Sequence, residues 1–243
     1  MNNLDIYNPT FVRDLFNEMS RTYGFTNFVS SFGFCKRWRG QCVAQVPLQP
    51  GMIVCDPMTG MGECWPPIGT ALQAHGRLFA LDFSPEMCRR AQANRAHLAP
   101  LEITVLEADV LSSSIATASV DGVISTFGLK TLNDEQKLIL AQEIRRILKP
   151  GGVFSLLEIS VPPNCILQIP YLFYLKRVIP IIGKLLLGNP DNYRMLGIYT
   201  QQFHSCQKFT SALRATGLCA NERSYFFGCA SGVCGYKPAS QSA

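Results

Sequence analysis

Residues 51–63, Gly-Met-Ile-Val-Cys-Asp-Pro-Met-Thr-Gly-Met-Gly-Glu, constrain this chain more than any other stretch. An apolar run, Met52 to Cys55, leads into an acid, Asp56, then into a turn that carries Gly60 and Gly62 and is closed by Glu63. Ile53 and Val54 favour a buried strand, and the turn opens a helix. Glycine lets the backbone approach a ligand where any Cβ would collide. The helix N-terminus presents unpaired N–H groups. Strand, glycine turn and helix in that order make a nucleotide-type cofactor site. The turn lacks the lysine of a phosphate-gripping loop and the full G-x-G-x-x-G spacing. The acids at its two ends disfavour a pyrophosphate and suit a cationic or neutral ligand.

A second acid sharpens this. Gly76-Arg-Leu-Phe-Ala-Leu-Asp82 reads as the next strand and ends in Asp82, 26 residues after Asp56. An acid at that tip can accept two hydrogen bonds from a ribose diol. NAD and S-adenosylmethionine (SAM) both carry the diol, so Asp82 alone does not choose between them.

From Gly51 onward, strands and helices alternate. Strand candidates are Met52 to Cys55, Leu78 to Asp82, Ile103 to Glu107, Val120 to Thr126, Val153 to Ile159, Arg223 to Phe227 and Cys229 to Tyr236. Ser84-Pro-Glu-Met87 starts a helix with a good cap, a proline in the first turn and an acid that suits the dipole. Asn133-Asp-Glu-Gln136 starts another, and Lys149-Pro-Gly-Gly152 stops it. Phe203 to Thr216 reads as a helix ending at Gly217. The alternation predicts an α/β fold, a mostly parallel sheet with helices on both faces.

Two segments depart from the alternation. Residues 1–48 form a helical N-terminal extension, with Phe11, Leu15, Phe16 and Met19 at helical spacing. Its stripe packs on the core, and it can also serve as a lid over the cofactor. The remainder, 49–243, is the cofactor-binding domain. Within it, residues 161–200 form an insertion. Its apolar part, 165–187, is interrupted by Lys176, Arg177, Pro180 and Gly183 short of the ~18 unbroken residues that suggest a membrane span. A cap over an apolar substrate pocket, a helix dipping into a membrane surface and ordinary helix packing each account for it.

The chain of 243 residues is 47% hydrophobic and 16% charged, enough for a real core. The net charge of +5 comes from scattered basic residues, which does not point to nucleic acid. Ten cysteines include no C-x-x-C pair. They read as buried thiols in a reducing, cytoplasmic compartment, with no disulfide frame and no metal site. The N-terminus has neither the basic region nor the apolar core of a signal peptide.

The chain resembles the UbiE/COQ5 group of class I SAM-dependent methyltransferases over roughly residues 11–237. Asp56-x-x-Thr59-Gly-Met-Gly62 fits motif I, and Asp82-Phe-Ser-Pro-Glu-Met87 fits the ribose-binding strand end. Phe127-Gly-Leu-Lys-Thr-Leu132 resembles the group's F-G-L-R-N signature. Arg146-Ile-Leu-Lys-Pro-Gly-Gly152 and Leu157-Glu-Ile-Ser160 resemble its R-V-L-K-P-G-G and L-E-F-S. Asp191-Asn-Tyr193-Arg194-Met-Leu196 resembles its D-S-Y-x-Y-L, and Ala230 to Lys237 its last strand. Phe16-Asn-Glu-Met-Ser-Arg-Thr-Tyr23 resembles the group's lead-in. Three positions depart: Met58 stands where motif I usually has glycine, and Lys130 and Thr131 replace the signature arginine and asparagine. Lysine keeps the charge but loses the two-pronged grip.

The resemblance implies a Rossmann-like, seven-stranded, mostly parallel sheet with SAM as cofactor and S-adenosylhomocysteine as product. It implies ribose contact at Asp82, adenine flanked by Phe83 and Met87, and Asp109 and Val110 on the far edge of the ring. Gly60 and Gly62 would lie under the methionine part, Asp56 and Thr59 would also belong to the cofactor site, Ser125, Thr126 and Phe127 would line the sulfur side, and Tyr23 would close the site. Lys130 is the candidate to stabilise a phenolate, or else a solvent-facing lysine at a strand end. His204 is a candidate general base or a surface histidine at a helix start. Tyr171, Tyr174, Tyr193 and Tyr199 line the acceptor pocket or pack the core.

The implied activity is C-methylation of an apolar aromatic or prenylated quinol. The alternatives are N- or O-methylation of a specialised metabolite or lipid head group, a SAM-binding module without activity, and a nicotinamide enzyme. The intact acid and glycine set argues against an inactive module, and the missing G-x-G-x-x-G against NAD. Peripheral membrane contact through 165–187 and a homodimer are both compatible with this reading.

Overall fold

The computed structural model describes residues 5–20, 31–98, 100–186 and 189–239. Seven strands form one sheet: β1 (Ile53–Pro57), β2 (Arg77–Asp82), β3 (Glu102–Glu107), β4 (Val120–Thr126), β5 (Leu148–Ile159), β6 (Cys219–Tyr225) and β7 (Ala230–Tyr236). Their order is β3-β2-β1-β4-β5-β7-β6. Pairing is parallel from β3 to β5, and β7 runs antiparallel to both β5 and β6.

The helices are α1 (Pro9–Met19), α2 (Phe34–Val43), α3 (Trp65–Leu72), α4 (Pro85–Asn94), α5 (Asp134–Ile147), α6 (Cys165–Phe173), α7 (Ile179–Leu185), α8 (Pro190–Phe203) and α9 (Gln207–Ala215). Successive strand residues point to opposite faces, so the sheet divides the core. Val54, Leu78 and Ile124 pack with Trp38 and Cys42 of α2 and Trp65, Ile68 and Leu72 of α3. Cys55, Leu81, Val123 and Phe154 pack on the other face with Leu140 and Ile144 of α5 and Phe209 and Leu213 of α9.

Local signals place several elements. Ser84 Oγ accepts from Met87 N at 3.2 Å as the cap of α4. Asn133 and Gln136 form a reciprocal capping box at the start of α5. Two expectations shift. Lys149 to Gly152 lie within β5, where a change of register between Val120 and Gly122 of β4 absorbs them. The single helix expected from Phe203 to Thr216 is broken: Phe203 ends α8, His204 takes a left-handed φ of 63°, and α9 begins at Gln207.

The insertion runs as one helical stretch from Cys165 to Leu185, with a π-turn at Tyr174–Val178 joining α6 to α7. Contrary to expectation, Lys176, Arg177, Pro180 and Gly183 do not interrupt it: the first two lie in the π-turn and the last two in α7. By length and composition it is apolar enough to cross a membrane. One side, Leu167, Pro170, Tyr171, Tyr174, Leu175 and Ile179, faces a cavity in the protein. The other, Ile166, Ile169, Phe173, Ile181 and Leu185, is more than half exposed at every position.

At the N-terminus, α1 buries Val12, Leu15 and Met19. Asn17 Oδ1 accepts from Ser84 Oγ at 2.6 Å and pins α1 to the start of α4.

Candidate active site

The strand order reverses between β1 and β4, and a cleft opens there at the C-terminal ends of the parallel strands, as the topology favours. One part holds about 60 Å³ and is lined by Phe16, Arg39, Met58, Thr59, Gly60, Glu63, Asp82, Phe83, Met87, Thr126, Phe127, Gly128 and Thr131. The other holds about 50 Å³ and brings in Tyr7, Val12, Asp109, Val110 and Gln136. The two share Met58, Phe83 and Thr131, so they form one groove.

Asp82 lines the first part. Its Oδ2 accepts from Gly60 N at 2.8 Å and its Oδ1 from Ser84 N at 3.0 Å. A carboxylate oxygen accepts more than one hydrogen bond, so both remain able to take a ribose hydroxyl. Burial pushes the Asp82 carboxyl up to about 6, against the lowering effect of the Ser84 and Gly60 amides.

Asp56 lies behind the turn and lines neither part of the groove. Its Oδ2 accepts from Thr59 Oγ1 at 2.6 Å, and Thr59 Oγ1 accepts from Trp65 Nε1 at 2.8 Å. Burial raises Asp56 to about 7, and Glu63 and Asp82 add to the rise. Gly62 also lies off the groove. A Cβ there would stand 2.5 Å from the Trp65 ring, and its φ of +86° is one that favours glycine. Gly62 thus admits Trp65, which braces the turn. Ser125 is buried and donates to Pro57 O, tying β4 to β1 below the groove. Met58 takes a left-handed φ of 58° at the motif position usually held by glycine, and its side chain packs on Gly128.

A second, larger cavity of about 410 Å³ lies between the insertion and α2. Phe34, Trp38, Ile159, Leu167 and Leu175 make its walls apolar, and Phe127 lines both it and the groove. Lys130 is its buried cation, only 4% exposed. Lys130 Nζ donates to Glu158 Oε1 at 2.7 Å and to Phe127 O at 3.1 Å, and Lys130 N donates to Glu158 Oε2 at 3.1 Å. Tyr171 and Tyr174 line the same cavity.

The other sequence-predicted residues lie elsewhere. Tyr193 and Tyr199 are fully buried and line no described cavity. Tyr193 fills the space above Gly183, and Tyr199 OH donates to Ile6 O beside the Tyr7 ring. Both are packing residues between α8 and the N-terminal segment. His204 is exposed at the end of α8 and also lines no described cavity; its carbonyl accepts from Val161 N at 2.8 Å. The geometry gives it a capping place rather than an acid–base one. Tyr23 lies outside the described residues.

Sequence reasoning assigned no site role to Arg39 or Glu158, nor to Glu63 beyond its charge. A lone acid inside the apolar run of β5 is the signal that Glu158 needs a buried partner. The Lys36-Arg-Trp-Arg39 run carries no comparable signal.

Residues 4–237 match the ubiE/COQ5 methyltransferase family. The chain belongs to that family. A demethylmenaquinone methyltransferase of Desulfitobacterium hafniense is 30% identical over 209 residues, covering 86% of this chain and 82% of that protein. The ubiquinone/menaquinone biosynthesis C-methyltransferase UbiE of Syntrophotalea carbinolica is 32% identical over 207 residues, 84% of each. The crystal structure of a SAM-dependent methyltransferase from Aquifex aeolicus shares the fold, with a TM-score of 0.58 at 18% identity, over 81% of this chain and 88% of that one.

As a ubiE/COQ5 methyltransferase the protein uses SAM. The residues present suit it. Asp82 offers acceptors to a diol, Gly60 holds backbone close to the groove, and Glu63 and Asp82 line it with negative charge that favours a sulfonium. When bound, SAM supplies a methyl group already activated on sulfur. The protein's task is to position donor and acceptor.

Proposed function

We propose that the protein methylates a ring carbon of an apolar hydroxylated aromatic acceptor of the quinol type. The observation that carries this reading is an apolar cavity that shares Phe127 with the cofactor groove and holds one buried cation, Lys130. The names of the relatives support the same acceptor class.

An ammonium has three donors. Glu158 and the Phe127 carbonyl take two, leaving one for an acceptor oxygen. A cation aimed at that oxygen stabilises the phenolate as it forms. The phenolate raises electron density at the neighbouring ring carbon, which attacks the methyl group. The phenolic proton, and after transfer the ring proton, pass to solvent, and loss of the ring proton restores aromaticity. His204 has no part in this scheme.

The test is to incubate the purified protein with SAM and a short-chain demethylated quinol, and to follow mass and connectivity. A single added methyl on a ring carbon is the expected product. A methyl on oxygen or nitrogen would redirect the assignment to another acceptor atom.

The insertion caps the acceptor cavity in this reading, and α1 acts as a lid. The two parts of the groove hold about 60 and 50 Å³, well below the roughly 300 Å³ of an ordinary small-molecule pocket. The helix that carries Phe16 and forms their outer wall therefore lifts to admit SAM.

The outer stripe of the insertion rests on a lipid surface, so that an apolar acceptor enters the cavity directly from the bilayer. Ile166, Ile169, Phe173, Ile181 and Leu185 supply the apolar contact, and exposed Arg177 and Lys184 suit anionic head groups. Wild-type protein should co-sediment with vesicles containing phosphatidylglycerol. Ile169→Asp/Phe173→Asp should stay in the supernatant while binding SAM normally. Equal partitioning of the two proteins would remove the stripe from the contact.

A further inference from the structure

We infer that Arg39 and Glu63 form a clamp for the amino-acid end of the cofactor, Arg39 taking its carboxylate and Glu63 its ammonium. The inference deepens the SAM assignment and rests on it.

Both residues line the groove that Gly60 and Asp82 define. They come from different elements, Arg39 from α2 and Glu63 from the turn after β1. Their charges face one another without bonding: Arg39 Nη2 lies 4.0 Å from Glu63 Oε1, with the side chains 12% and 21% exposed. Arg39 Nε and Glu63 Oε1 are buried and have no hydrogen-bond partner among the described residues. Leaving a buried polar atom unmatched costs about 1–3 kcal/mol, more for charged groups. A pair whose only role was to stabilise the fold would close the gap and bond.

Each side chain is held in place by its other contacts. The Arg39 guanidinium lies over the Phe127 ring, 5.0 Å from its centroid. Glu63 Oε2 accepts from Met61 N at 3.1 Å and lies against the Cα of Gly60, where a Cβ would come within 3.1 Å of it. Neither therefore has to be reoriented before binding. The two side chains bring opposite charges to the lining of the groove, and an α-amino acid zwitterion is the complementary partner. Guanidinium–carboxylate and ammonium–carboxylate contacts are among the strong charge-assisted hydrogen bonds. The clamp adds no net charge, so it selects for the amino-acid end as such, while Asp82 selects for the ribose.

The test uses ligands that lack one group at a time, titrated calorimetrically against the full chain. S-adenosylhomocysteine carries both groups, decarboxylated SAM only the ammonium, and 5′-methylthioadenosine neither. Wild-type protein should bind S-adenosylhomocysteine at least about tenfold more tightly than 5′-methylthioadenosine, one charge-assisted hydrogen bond's worth of affinity. Equal affinities would overturn the inference without any variant. If neither ligand bound, the SAM assignment itself would fail, a distinct result.

Arg39→Met should weaken S-adenosylhomocysteine about 10- to 100-fold and leave decarboxylated SAM and 5′-methylthioadenosine unchanged. Glu63→Gln should weaken both ammonium-bearing ligands and spare 5′-methylthioadenosine. A uniform loss across all three ligands in both variants would make the pair a structural brace and reject the clamp. Arg39→Lys, which keeps the charge and loses the fork, should fall between wild type and Arg39→Met for S-adenosylhomocysteine alone.

Discussion

Lys130→Met is expected to cut turnover by about 10²- to 10³-fold, the usual effect of losing one electrostatic stabiliser of a developing oxyanion. It is also expected to weaken the fold, because Glu158 is fully buried and Lys130 is its ion-pair partner. Removing one member of a buried pair leaves an uncompensated charge and costs about 3–5 kcal/mol. The two effects can be separated. Lys130→Met/Glu158→Gln removes both charges, and the glutamine carbonyl can still accept from one of the two main-chain amides, Lys130 N or Ile159 N, that Glu158 serves with its two oxygens. Thermal melting should show the double variant recovering part of the lost stability, since one buried amide stays unmatched, while single-turnover methylation stays low. SAM affinity should be near normal in both, since Lys130 lines the acceptor cavity and not the groove. Recovery of turnover together with stability would make Lys130 a purely structural residue.

Asp82→Ala is expected to lower SAM affinity about 100-fold or more while the protein stays folded. Two hydrogen bonds to a charged acceptor are worth about 1.5–3 kcal/mol each, and the alanine removes both. The pH dependence gives a second reading of the same residue. Asp82 sits at about 6 in the free protein because burial disfavours its charge. Below that pH it carries a proton and loses acceptor capacity, so SAM affinity should fall as the medium is acidified through about 6. The stability of the free protein runs the other way. The folded state holds the Asp82 proton between the ordinary value of 3.8 and about 6, so this group's contribution to stability declines as pH rises through that window. In Asp82→Ala the affinity dependence should flatten, and the decline of stability should lose the Asp82 share while keeping that of Asp56, which burial raises to about 7. Unchanged SAM affinity in that variant would take Asp82 out of the cofactor site.

What the sequence made legible follows the range of the forces involved. The strands, the caps at Ser84 and Asn133, and the strand-end acid Asp82 depend on neighbours within a few residues, and the structure has them close to where local rules put them. The pairing of Arg39 with Glu63, and of Lys130 with Glu158, depends on elements brought together only by the sheet order, which no local pattern encodes. Aromatic residues at helical spacing carry an ambiguity of their own. Tyr171 and Tyr193 look equivalent in sequence, yet α6 turns one into a cavity and α8 turns the other into the core. His204, a scarce residue type in this chain, stands exposed on a left-handed backbone at a helix end. Asp56 and Gly62 carry the recognisable motif but support the turn from behind, while the adjoining Thr59 and Gly60 face the groove.

Eight of the ten cysteines are buried, Cys219 is half-buried, and Cys165 alone is exposed, at the start of α6 next to Ile166. Burial pushes the thiols of Cys42 and Cys206 up and keeps them protonated. The native protein therefore carries its own labelling site. An environment-sensitive dye attached under brief, mild conditions would go to Cys165, where its emission reports what the outer stripe of the insertion touches. Slower uptake of reagent by the remaining thiols would time the opening of the core, so one chemistry would follow both the surface and the interior of the unmodified chain.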